Sequence, residues 1–99
     1  MDIAGFEWDG GNREKCRKHG VAIAEIEALF LAPLAIRDDA PHSASERRFV
    51  AVGKNEAGRS IFLVFTQRER GGRTYIRPIS ARYMHRKEVA HYEEENPDF

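Results

Sequence analysis

Apolar residues recur at helical spacing early in the chain and at strand spacing through its middle. Ile23, Ile26 and Phe30, with Leu29 beside them, fall at i, i+3 and i+7, which predicts a helix over residues 22–31. Pro33 is expected to stop it. Ahead of it, residues 12–19 predict a second, very polar helix. Arg13, Glu14, Lys15, Arg17 and Lys18 leave only a narrow side for burial, around Cys16. Asp9 or Asn12 can cap that helix, and Gly20 suits the positive-φ position after its end. Phe6-Glu7-Trp8-Asp9 mixes apolar and acidic residues before Gly10-Gly11, and predicts a short strand or extended entry ending in a turn.

Strand patterns follow. Residues 34–36 predict a short strand, and 38–45 a polar loop. Residues 48–53 carry Phe49, Val50 and Val52, and Asn55-Glu56-Ala57-Gly58 is a turn. Ile61-Phe62-Leu63-Val64-Phe65 is apolar without alternation, which predicts a central strand covered on both faces. Gly71-Gly72 marks the next turn, within 69–73, and residues 74–81 the last strand. Pro78 donates no ladder hydrogen bond, so it belongs at an edge or a bulge. Residues 83–95 predict a helix stopped by Asn96-Pro97. The expected fold is α+β: two N-terminal helices and one C-terminal helix packed on one face of a small antiparallel sheet.

Ninety-nine residues suit one domain with one modest core. Sixteen bases balance sixteen acids, which argues against bulk coating of nucleic acid. The balance is not local. From Arg59 to Lys87 there are eight bases and a single acid, Glu69. Such a block suits a phosphate-rich ligand. Cys16, the only cysteine, is expected to pack in the core, and its solitude rules out a cysteine-based zinc site. His42, His85 and His91 have no metal-ligand spacing with acids, so no metal or other cofactor is expected. The first residues have no basic or apolar leader pattern, and no apolar run approaches eighteen residues. A cytosolic protein without membrane contact is expected.

An ordered set of short motifs adds to this reading. It comprises Phe6-Glu7-Trp8-Asp9, Asn12, Lys18-His19-Gly20-Val21, and the apolar helix running into Pro33-Leu34. It continues with Glu46 and Arg48 ahead of Gly53, Phe65-Thr66 with Arg68, Ile79-Ser80-Ala81-Arg82, Lys87-Glu88 and Tyr92-Glu93. In this order, over nearly the full length, the set resembles the BrnT toxins of bacterial type II toxin–antitoxin pairs. The resemblance implies a RelE-like ribonuclease fold and RNA cleavage that inhibits translation and growth. It also implies neutralisation by a BrnA-like antitoxin with a ribbon-helix-helix part, contact with operator DNA only through that antitoxin, and a toxin–antitoxin heterotetramer. Two positions depart from the family: Pro78, often isoleucine there, and His85, often a threonine that would complete a capping box with Glu88.

A RelE-like nuclease attacks the phosphate with the neighbouring ribose 2′-hydroxyl and needs no metal. The protein supplies a base, cationic donors for the phosphorane, and an acid for the leaving oxygen. Arginine suits the middle role, because its fork bonds two phosphate oxygens and stays charged. The candidates are Arg48, Arg68, Arg77 and Arg82, with Lys18 or His19 for proton transfer and Tyr92 to assist. Each has a plainer reading: surface ion pairs for the arginines, a helix-ending turn for His19, half-burial for Tyr92. Glu46 is either a base or a partner of Arg48, and Glu88 caps its helix. Arg77 and Arg82 are five apart, so a regular strand would turn them to opposite faces. Either a bulge at Pro78 realigns them, or only one faces the site. Two other functions stay open: a catalytically inactive protein-binding module or operon co-repressor partner, and, with no basic recognition helix evident, a DNA-binding regulator.

Overall fold

The structure, a computed structural model, describes residues 2–32, 34–40 and 45–96. The expected stops at Pro33 and Pro97, His42 and the centre of the 38–45 loop lie outside the described residues. The elements are β1 (Gly5–Phe6), α1 (Gly10–Arg17), α2 (Ile23–Leu29), β2 (Ala35–Asp38), β3 (Arg48–Lys54), β4 (Ser60–Arg70), β5 (Arg73–Tyr83) and α3 (Arg86–Glu95). The class is α+β, as expected. The sheet, however, has five strands in the order β1-β5-β4-β3-β2 and is mixed, not antiparallel. The difference lies in β1, whose two residues pair parallel with β5 at Tyr75 and Ile76.

α1 begins two residues earlier than its polar pattern suggests, because Asp9 is the cap. Its carboxylate accepts from Asn12 N at 3.1 Å, and Asn12 Oδ1 accepts from Asp9 N at 2.7 Å. This reciprocal pair satisfies two amides at the helix start and draws Gly10-Gly11 into the first turn. Only Asn12 and Cys16, one turn apart, are buried on α1. Gly20 follows with φ 83°, as its place after the helix requires. α2 buries Ile26 and Leu29.

The core lies between these two helices and one sheet face. Cys16, Val21, Ile26 and Leu29 meet Ala51, Ile61, Leu63, Phe65, Ile76 and Ala81. Phe30 links Phe6 to Phe65 edge-on, at 5.5 and 5.4 Å between centroids, and Phe49 stacks on Phe65. Burial raises the Cys16 thiol to about 11, so it stays protonated and unreactive at neutral pH. Phe62 does not join this core; it stands on the other face, half-buried.

β4 and β5 run well past their apolar segments. A two-residue turn at Gly71-Gly72, both with positive φ (60° and 76°), pairs Arg70 with Arg73 and carries the ladder to the tip. Nearer the middle the register slips: Val64 faces Ser80, but Phe65 faces Pro78. Ile79 is therefore the extra residue of a bulge. Asn12 secures it from α1, donating from Nδ2 to Pro78 O at 2.8 Å and to Glu7 O at 3.0 Å. The helices do not share one face as expected. α3, which buries no residue completely, stands beside the opposite sheet face, where Glu88 meets Arg82 and Tyr92 lines a hollow with Val50 and Val52.

Candidate arginine face

Directly paired residues of a sheet point the same way. Arg48 pairs with Thr66, and Thr66 with Arg77, so these three form a row across β3, β4 and β5. Phe65, next to Thr66, belongs to the core, so the row lies on the face that α1 and α2 do not cover. Arg68 is two residues along β4 on that face. Arg82 pairs with Phe62, four residues back from Thr66, and shares the face too. The Ile79 bulge makes this possible, since it offsets the odd spacing between Arg77 and Arg82. Of the two arrangements open from the sequence, realignment by a bulge is the one observed.

Acids from outside the basic block neutralise much of it. Arg77 donates to Asp9 Oδ2 at 2.7 Å and to Glu7 Oε1 at 3.4 Å. Glu7 also accepts from Arg70 Nε at 2.8 Å and lies 3.8 Å from Arg68 Nη1. Arg68 meets Glu46, with Nη2 donating to Oε1 at 3.3 Å. Arg82 bonds Glu88 through both fork nitrogens, at 2.7 and 2.8 Å, and its guanidinium sits 4.8 Å from the Phe62 ring centroid. Glu7 and Asp9, read from the sequence only as the acids of an extended entry and as a cap candidate, are thus partners of the arginines. Strand alternation after Phe6 is the one signal for Glu7; its pairing across 70 residues has none.

These contacts set the protonation of the acids. The Arg70 hydrogen bond, with the charges of Arg68 and Arg77, holds Glu7 below the usual carboxylate range. The Asn12 amide, then Arg77, does the same for Asp9. Arg82 and the His85 amide bring Glu88 down to about 2. Glu88 accepts from His85 N at 2.9 Å, so α3 keeps half of a capping box although the His85 side chain accepts no cap bond.

A lowered folded value means that Glu88 stabilises the protein above its ordinary pKa near 4.5 and loses that contribution as pH falls toward 2. In thermal melts, parent and Glu88→Gln should differ by a constant amount above about pH 5 and converge toward pH 2. The plateau should correspond to about 1 kcal/mol, the scale of a helix cap. Parallel curves down to pH 2 would show that the pair does not carry the dependence.

Beside Arg82, the space between the sheet and α3 forms a groove of about 260 Å³ lined by Arg37, Val52, Phe62, Met84, Glu88, His91, Tyr92 and Glu95. A second hollow of about 350 Å³ adjoins it and also includes Tyr92. Lys18 and His19 lie elsewhere. They are exposed in the turn between α1 and α2, the layer that covers the other face. Among the described residues, no hydrogen bond or ion pair shown joins either one to Arg68, Arg77 or Arg82.

Residues 8–88 match the family described as the ribonuclease toxin BrnT of type II toxin–antitoxin systems. The chain belongs to the BrnT family. The match takes in the chain from Trp8 through the first turn of α3, with all four candidate arginines; Tyr92 lies beyond it. BrnT membership implies a ribonuclease toxin that is paired with an antitoxin. No curated protein matches the chain. Among the described residues, no helix is long and apolar enough to cross a membrane.

Proposed function

We propose that this BrnT chain is a RelE-like endoribonuclease of the cytoplasm that cuts RNA on the arginine face without a metal. Arg48, Arg68, Arg77 and Arg82 bind the scissile phosphate and the charge that builds on it in the phosphorane. The ribose 2′-hydroxyl attacks, and Glu46, the carboxylate at the rim beside Arg68, takes its proton. Tyr92, in the groove beyond Arg82, stacks on a base or donates to the leaving oxygen. Lys18 and His19, exposed in the layer over the opposite sheet face, take no part in this step. A BrnA-like antitoxin neutralises the toxin in a heterotetramer and carries the contact with operator DNA.

The observation that supports this most is the Ile79 bulge, which turns Arg77 to the face that Arg48, Arg68 and Arg82 share. The test is induction of the chain in a bacterial host, beside an Arg77→Ala/Arg82→Ala variant, with growth and bulk RNA followed. Arrest with RNA loss in the parent alone is the expected result. Arrest by both would move the site off this face. A harmless parent would favour the second reading, a catalytically inactive protein-binding module. The pairing of Arg68, Arg70, Arg77 and Arg82 with carboxylates is what favours that module, since such pairs hold a surface fixed for a protein partner.

A further inference from the structure

Among the described residues, two buried side-chain polar atoms have no hydrogen-bond partner: Thr66 Oγ1 and Arg68 Nε. Both belong to β4. They lie two residues apart on the same face, which places their Cα atoms about 7 Å apart. Thr66 is 0% exposed, set between Arg48 and Arg77 by the sheet register. Arg68 Nε comes within 2.8 Å of Glu46 Oε2, but its N–H is not aligned on that oxygen, so the contact is a charge pair and not a hydrogen bond.

A buried hydroxyl without a partner weakens a fold. Valine has nearly the same shape, suits a strand as well, and would avoid that cost. The neighbours of Thr66 in its row are guanidiniums, which offer donors and no acceptor. The group that complements the hydroxyl and Nε–H together is therefore an acceptor, and the surrounding arginines select an anionic one. The side chain of Arg68 is 37% exposed, so it can swing to admit it beside the fixed Arg77.

We propose that Thr66 is a further substrate-contacting residue. Its hydroxyl and Arg68 Nε–H both donate to the non-bridging oxygens of one RNA phosphate, held between Arg48 and Arg77. Glu46 gives up its hold on Arg68 as the phosphate arrives. Thr66 donates a hydrogen bond and is not itself changed. This rests on the ribonuclease reading for its substrate, but the contact can be measured without cleavage.

The experiment compares parent, Thr66→Val and Thr66→Ser on two RNAs of one sequence. One is ordinary single-stranded RNA. The other carries 2′-O-methyl riboses and cannot be cut through its 2′ oxygen. Thr66→Val should cleave about 10- to 100-fold more slowly, the loss expected for one hydrogen bond to a charged group. It should bind the uncleavable RNA more weakly and melt at the parent's temperature or above. Thr66→Ser should regain most of both losses. Unchanged cleavage and affinity in Thr66→Val would overturn the proposal. So would a clear fall in its melting temperature, which would mark the hydroxyl as a structural group. A parent that binds but does not cut would end the ribonuclease reading alone, and the affinity ratio would then decide for Thr66. A parent that binds no RNA would overturn both.

Discussion

Arg77→Ala is expected to slow RNA cleavage by about 100- to 1,000-fold, the loss typical when one donor to a developing oxyanion is removed. Arg77 is held firmly by the fold. Its side chain is 21% exposed, two carboxylates fix its fork, and the bulge beneath it is bonded to α1. A guanidinium so held reaches the phosphate with little left to reorganise, which is where preorganised charge has most effect. Stability should change little, by about 1 kcal/mol or less, because a partly exposed ion pair contributes on that scale. Glu7 keeps Arg70, and Asp9 keeps its cap on α1. Arg77→Lys should recover only part of the rate, since an ammonium cannot bond two oxygens in one plane. Steady-state cleavage of a short fluorescent RNA would measure all three proteins. A folded Arg77→Ala that cuts at the parent's rate would remove Arg77 from the site.

Asn12→Ala should have the largest effect on stability, about 3 kcal/mol, or roughly 10–20 °C in melting temperature for a domain of this size. Asn12 is 5% exposed and works in three directions. Its oxygen closes the cap on α1 at Asp9 N, and its amide holds Glu7 O and Pro78 O. Alanine would leave two backbone carbonyls without that donor beneath the helix, and burying such groups unpaired is costly. Asn12→Asp isolates the amide. It can still accept from Asp9 N but cannot donate to Pro78 O, so it should destabilise about as much as alanine. Both variants should also lose cleavage at temperatures where they remain folded, because the bulge that turns Arg77 loses its anchor. Calorimetry with activity at 20 °C would read both effects. A melting shift of only a few degrees would show that the bulge stands without Asn12.

The helices and the three long strands are legible in the sequence from apolar stripes, apolar runs and the turn and cap residues that bound them. The stripe Ile23, Ile26, Phe30 marks α2, and the apolar run at residues 61–65 marks the centre of β4. β1 has only two residues, too few for a period, and its parallel pairing with β5 depends on contacts across some 70 residues. That is why the sheet is mixed and not antiparallel. The ends of β4 and β5 are polar, so nothing in their hydropathy extends them; the tight Gly71-Gly72 turn does so. The polar pattern of α1 places its start near Asn12, whereas the reciprocal bonds with Asp9 start it at Gly10.

The arginine face was half legible. Pro78 announces a bulge or an edge, and the bulge at Ile79 is what joins Arg77 to Arg82. The excess of positive charge in residues 59–87 is visible as composition. Its neutralisation is not, because Glu7, Asp9 and Glu46 come from distant segments. Thr66 looks like any strand threonine until the register sets it between two arginines.

The most direct test of the central claim is to identify the ends left when purified protein cuts a short RNA in excess EDTA. Attack by the 2′-hydroxyl without a metal predicts a 2′,3′-cyclic phosphate on one fragment and a 5′-hydroxyl on the other. It also predicts no cut beside a single 2′-deoxy residue at the scissile position, and little cutting by Arg77→Ala/Arg82→Ala. Cleavage that EDTA abolishes, or that leaves a 5′-phosphate, would contradict the account.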